Sequence, residues 1–188
     1  MIRTSRRNFL LAAAPLAFFP GTAIAALSAC SGDAAMSNEV EPTFQIGQVA
    51  VRKLDKPHEE WKKVLSGGQY DVLFNEATEQ AGSSPLDSEK RAGTFVCAAC
   101  YLPLFESNAK FDSGTGWPSF YQPIAGHVET KRDFKLIWPR TEYHCARCGG
   151  HQGHIFDDGP KPTGKRFCNN GIALRFVQAS ETLPELRG

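Results

Sequence analysis

Four stretches of this 188-residue chain carry side chains able to do chemistry, and cysteine dominates them. Cys97 and Cys100 form one Cys-x-x-Cys pair, and Cys145 and Cys148 form a second. His151 and His154 follow three residues apart. Cys168 then stands alone, in Arg166-Phe167-Cys168-Asn169-Asn170. A lone thiol among basic and amide side chains is a candidate nucleophile, because the thiolate is the attacking form and its neighbours can stabilise it.

The paired cysteines suit a metal. Each Cys-x-x-Cys turn aims two sulfurs at one ion, and two turns complete the tetrahedral four-thiolate set of structural zinc. Such a set is closed, so the ion it holds is structural and not catalytic. Gly149-Gly150 directly follows the second pair, as a tight knuckle requires. Two other chemistries compete. A redox pair belongs in a thioredoxin-like βαβ context, which is absent, and two structural disulfides fit an oxidising compartment. His151 and His154 share one side of a turn, or take opposite sides if their segment is extended. Taken alone, each is more often a hydrogen-bonded structural residue.

The elements that must position these groups read as short and mostly extended. Seventeen Gly and twelve Pro recur between short apolar runs, which favours strands and turns over a helical bundle. Asp55-Lys56-Pro57-His58-Glu59-Glu60-Trp61 predicts a helix start, with Asp55 as cap and an end at Gly67-Gly68. A second short helix is expected over Tyr70 to Gln80. Strands are expected at Gly93–Val96, Lys135–Trp138, Thr141–His144, Gly153–Phe156 and Ile172–Val177. Turns are expected at Asp157–Pro160 and Lys161–Gly164. The fold class is mainly β: antiparallel sheets, sandwich or barrel-like, with short N-terminal helices and a structural zinc site.

Residues 1–30 read as an export signal. Ser5-Arg6-Arg7-Asn8-Phe9-Leu10 opens with an arginine pair before an apolar stretch, which resembles the twin-arginine type. Ala23-Ile24-Ala25 offers an ordinary cleavage site, whereas Leu27-Ser28-Ala29-Cys30 resembles a lipobox that would lipidate Cys30. A polar tether over residues 31–45 and a domain over 46–188 complete the organisation. The expected location is the periplasm, free or anchored through Cys30 and facing it. The formal net charge of +1 leaves no basic stripe, so nucleic acid is not an expected partner. The expected state is a monomer.

Four ordered motifs now align: Phe111-Asp112-Ser113-Gly114-Thr115-Gly116-Trp117-Pro118-Ser119-Phe120, Arg140-Thr141-Glu142, His151-Gln152-Gly153-His154-Ile155-Phe156-Asp157-Asp158-Gly159-Pro160, and Arg166-Phe167-Cys168-Asn169-Asn170. Around two knuckles they resemble the methionine-R-sulfoxide reductases, the B type of peptide-methionine sulfoxide reductase, over about residues 50–177. The resemblance implies that Cys168 attacks the sulfoxide sulfur and becomes a sulfenic acid, with His151, His154 and Asn170 lining the site. It implies that Trp117 holds the substrate methyl group and helps select the R epimer. Phe120, Arg166 and Glu142 are carried over as substrate-binding or site-supporting residues. Oxidised methionine in proteins or peptides, a thioredoxin-like or small-thiol reductant, and zinc on Cys97, Cys100, Cys145 and Cys148 are the implied partners.

Three positions depart from the pattern. Thr115 stands where many relatives carry a second, resolving cysteine, so an external thiol is expected to reduce the Cys168 sulfenic acid. Gln152 replaces the usual leucine, and Asn169 replaces a usual apolar residue.

Overall fold

The computed structural model describes residues 51–134 and 139–188. The expected signal, the tether, the first residues of the domain and the strand expected at 135–138 lie outside the described residues. Among the described residues nine strands form two antiparallel sheets. They are β1 (Gly93–Cys97), β2 (Pro103–Glu106), β3 (Lys110–Phe111), β4 (Ser119–Phe120), β5 (Val128–Asp133), β6 (Arg140–Cys145), β7 (His151–Phe156), β8 (Arg166–Asn169) and β9 (Leu174–Gln178). The smaller sheet runs β2-β1-β9 and the larger β3-β4-β8-β7-β6-β5.

An aromatic stack joins the two sheets. Phe105 of β2 lies flat on Phe120 of β4, with ring centroids 4.1 Å apart and planes 12° apart. Phe95 of β1 meets the same Phe120 edge-on at 4.9 Å, and Tyr143 and Phe167 extend the cluster. All but Phe167 are fully buried. Truncating one such ring typically costs about 3–5 kcal/mol, so the stack is a large part of what fixes the sheets together.

The helices differ from expectation in their boundaries. The first segment is a 3-10 helix over His58–Lys63 with no side-chain cap, so Asp55 does not serve as one. Gly67-Gly68 does not end that helix but begins the next, α1 (Gly67–Asn75). The reason is a capping box: Ser66 Oγ accepts from Gln69 N, and Gln69 Oε1 accepts from Ser66 N. That reciprocal pair satisfies two orphan donors and outweighs the cost of two glycines. The helix closes at Glu76, in the left-handed region at φ 54°, and so stops short of Gln80. Gly68 allows the close approach of Ile172 Cδ1, 3.0 Å from where a Cβ would sit, which seats α1 beside the Cys168 segment.

The strand expected from Ile172 starts two residues later. Gly171–Ala173 form a 3-10 turn, because the Glu79 carboxylate accepts from the backbone N–H groups of Gly171 and Ile172. The Ile172 N–H bond is 2.9 Å long. A partner more than ninety positions away in sequence therefore bends the chain just after the nucleophile segment.

Candidate active site

The two knuckles are built alike. Tyr101 N donates to Cys97 O and Gly149 N to Cys145 O, both at 2.9 Å. The residue after each pair is left-handed, Tyr101 at φ 63° and Gly149 at φ 71°. Among the described residues the four sulfurs are the metal-ligand cluster, all buried and within 4.8 Å of one another. Cys97 and Cys148 Sγ lie 3.7 Å apart, and Cys100 and Cys145 Sγ 3.5 Å. Zinc–sulfur bonds of about 2.3 Å in a tetrahedron place sulfurs roughly 3.8 Å apart, so the set fits zinc and is too wide for disulfides. Thiol hydrogen bonds from Cys145, Cys148 and Cys97 pull the Cys100 thiol far down, and hydrogen bonding to Cys100 and Cys145 pushes Cys97 and Cys148 up. Four buried sulfurs cannot all ionise without a cation among them.

Cys168 is the remaining described cysteine and is half-buried. It stands on β8 opposite His154 of β7 and Ser119 of β4. That register brings the last two motifs together with the tryptophan motif. A cleft of about 120 Å³ is lined by Cys168, Trp117, His154 and Asn170, with Thr78, Phe156, Arg140 and Asn169. The two strands can lie this close because residue 153 is glycine: a Cβ there would fall 1.9 Å from Cys168 O.

Each expected site residue has a definite place. Trp117 Nε1 donates to Glu79 O at 3.2 Å, which fixes the indole against the cleft. Asn170 Oδ1 accepts from Glu79 N at 3.0 Å, and its Nδ2 donates to Gln152 O at 3.0 Å, leaving one amide N–H over. His154 Nε2 donates to Asp133 Oδ2 at 2.8 Å. His151 lies behind it, with ring centroids 5.4 Å apart. His151 Nδ1 donates to Glu142 Oε1 at 2.7 Å, while its Nε2 is buried with no protein partner among the described residues. Glu142 is buried and holds His144 through its second oxygen at 3.0 Å, so it supports a histidine and does not line the cleft. Phe120 is a correction. It is the centre of the core stack and is absent from the cleft lining, because its β4 position turns it inward against Phe105.

The electrostatics run partly against expectation. Burial pushes the Cys168 thiol up, and this outweighs the opposing pull of the Arg166 charge and a hydrogen bond from Thr115. Arg166 is shared, since its Nε and Nη2 donate to the Asp158 carboxylate at 2.8 and 2.9 Å. Burial also lowers the His154 imidazole, against the Asp133 hydrogen bond. The resting site is therefore biased towards a thiol and a neutral ring. Glu142 is held down to about 2: burial raises it, but the hydrogen bonds and charges of His144 and His151 together win.

Three contributors escape a reading of the sequence. Glu79 ties Trp117, Asn170 and the Gly171 turn together, Asp133 holds His154, and Asp158 holds Arg166. Asp158 carried a turn signal, and nothing local marks Asp133 or the hub role of Glu79.

A nine-stranded antiparallel body, stapled by a four-thiolate metal site and presenting one thiol in a tryptophan-walled cleft, defines the class. Residues 65–178 match the model of the SelR domain, and the chain belongs to that family. Peptide methionine sulfoxide reductase MsrB of Methanosarcina barkeri is 48% identical over 134 residues, covering 71% of this chain and 94% of that protein. Its namesake in Bradyrhizobium diazoefficiens is 52% identical over 125 residues, covering 66% and 90%. The one in Pseudomonas putida is 51% identical over 128 residues, covering 67% and 96%.

Proposed function

We propose that this protein reduces methionine-R-sulfoxide in oxidised proteins and peptides to methionine, with Cys168 as nucleophile. The observation that carries the reading is one cleft in which Cys168, among the described residues the lone thiol outside the metal cage, meets Trp117, His154 and Asn170. The Cys168 thiolate attacks the substrate sulfur, and the sulfoxide oxygen ends on the cysteine. Thiol and sulfoxide thus become sulfenic acid and methionine; the cysteine sulfur loses two electrons and the methionine sulfur gains them. The departing oxygen needs a proton. The proton that leaves the Cys168 thiol passes to His154, whose imidazolium then gives it to the oxygen, while the spare Asn170 N–H hydrogen-bonds that oxygen and His151 supports His154 from behind. Trp117 forms a flat wall for the substrate methyl group and selects the epimer. Arg166 steadies the thiolate.

Zinc on Cys97, Cys100, Cys145 and Cys148 supplies structural cohesion and no open coordination position. Regeneration uses an external thiol, because Thr115 occupies the resolving position and the other described cysteines are in the metal cage. Two equivalents of a small thiol, or one dithiol protein, convert the sulfenic acid to thiol and water. The arginine pair before an apolar stretch supports export to the periplasm, free or anchored through Cys30 as the Leu27-Ser28-Ala29-Cys30 stretch supports, and our reading is of a monomer. Export of a folded protein by that route allows the metal to be loaded first.

Turnover of R and S methionine sulfoxide, free and in a peptide, with dithiothreitol tests the reading. Loss of the R epimer alone, abolished by Cys168→Ser, is the expected result. A folded, zinc-loaded protein that reduces neither epimer would sink it.

A further inference from the structure

Gln152 and Asn169 are polar side chains with no solvent exposure. An apolar pair would fill the same space without desolvating two amides, each of which is costly to bury unmatched. Here almost every group is matched. Gln152 Nε2 donates to Cys97 Sγ at 3.6 Å and to Gly150 O at 3.5 Å. Gln152 Oε1 accepts from Asn169 Nδ2 at 3.4 Å. Asn169 Nδ2 also donates to Asn170 O at 2.8 Å, and its Oδ1 accepts from Tyr143 OH at 2.7 Å. The Gln152 carbonyl takes both the backbone and the side-chain N–H of Asn170, at 2.8 and 3.0 Å. One buried chain of hydrogen bonds thus runs from a metal-cage sulfur to Asn169 and Asn170, the two residues that follow Cys168.

We propose that Gln152 and Asn169 are positioning residues that couple the zinc-bound thiolate of Cys97 to the Cys168–Asn170 segment, so that the metal site sets the alignment of the nucleophile. The inference rests on the reductase reading for its kinetic consequence and on geometry alone for the coupling. Each amide has a separate task. The Gln152 amide N–H is charge-assisted towards the Cys97 thiolate. Asn169 converts the position of Gln152 into the position of the adjoining backbone, through Asn170 O. Gln152 is absent from the cleft lining, and Asn169, which is part of it, acts in this assignment through its bond to Asn170 O.

The test uses the full chain with cobalt in place of zinc, and the variants Gln152→Met, Asn169→Leu and both together. The thiolate-to-cobalt charge-transfer band reports hydrogen bonding at the cage sulfurs. The expected result is a shift to longer wavelength in Gln152→Met, because the thiolate loses a donor. A shift in the same direction in Asn169→Leu, which touches no metal ligand, is the signature of coupling. In the zinc enzyme each single change should lower kcat about tenfold at unchanged KM, the size of one lost buried hydrogen bond. The double change should cost less than the product of the two. A native band in Asn169→Leu, or single effects that multiply independently, would overturn the proposal. If Asn169→Leu does not fold, Asn169→Ala decides: a red-shifted band supports the coupling and a native band refutes it. Absence of turnover in the native protein would sink the reductase reading and leave the cobalt spectrum as the judge of the coupling.

Discussion

Arg166 faces two groups at once, the Asp158 carboxylate and the Cys168 sulfur. The carboxylate takes two of its N–H groups in a side-by-side pair, the arrangement that guanidinium favours. What reaches the sulfur is a partly neutralised charge, and burial wins. Asp158→Asn should therefore lower the Cys168 pKa, since the negative charge that opposes thiolate formation is gone. The measurement is the rate of Cys168 alkylation by iodoacetamide against pH. The curve should move to lower pH relative to the native protein, and an unmoved or higher curve would contradict this account. A second residue-scale outcome concerns acid. Glu142 has a folded value of about 2 against an ordinary 4.5, so its contribution to stability is complete above the ordinary value and is lost as pH falls through the folded one. Glu142→Gln should remove part of the pH dependence of the unfolding midpoint between those two values, seen in denaturant titrations.

At the scale of elements, the site is a matter of which strands lie side by side. Gly153 opposes Asn169 and His154 opposes Cys168, so the β7–β8 register alone brings imidazole to thiol. Gly153→Ala places a methyl group on the Cys168 carbonyl and must splay the strands. Overpacking of this kind costs about 1–3 kcal/mol and should lower Tm and kcat together. A native Tm in that variant would show that the strands are not packed as described. The knuckles, the β body and the His-x-x-His and cysteine motifs were legible in the sequence because each is a local pattern with a local cause. The helix boundaries were misread because the Ser66–Gln69 capping box outranked the more conspicuous Gly67-Gly68. The late start of β9, the hub at Glu79 and the inward turn of Phe120 were illegible for one shared reason. Each is decided by a partner distant in sequence: the Gly171 turn for Glu79, and Phe105 for Phe120.

For the whole molecule, the metal site joins what the chain order keeps apart. Cys97 ends β1 in the smaller sheet, and Cys145 ends β6 in the larger. A structural zinc contributes on the order of 10–16 kcal/mol of folding energy, as much as or more than the roughly 5–15 kcal/mol net stability of a domain. Chelation, or Cys145→Ser, should thus unfold the protein in one step. Loss of zinc and loss of strand circular dichroism should coincide, and a zinc-free protein with native circular dichroism would refute the claim. The solitary state of Cys168 has a consequence measured in waiting time. With its fellow described thiols locked in the cage, the oxidised cysteine has no neighbour to close upon, and every turnover ends with the arrival of another molecule. On the proposed reaction, throughput in a cell follows how often a reductant arrives, and the half-buried position of Cys168 shelters the idle sulfur from a second oxidation in the interval.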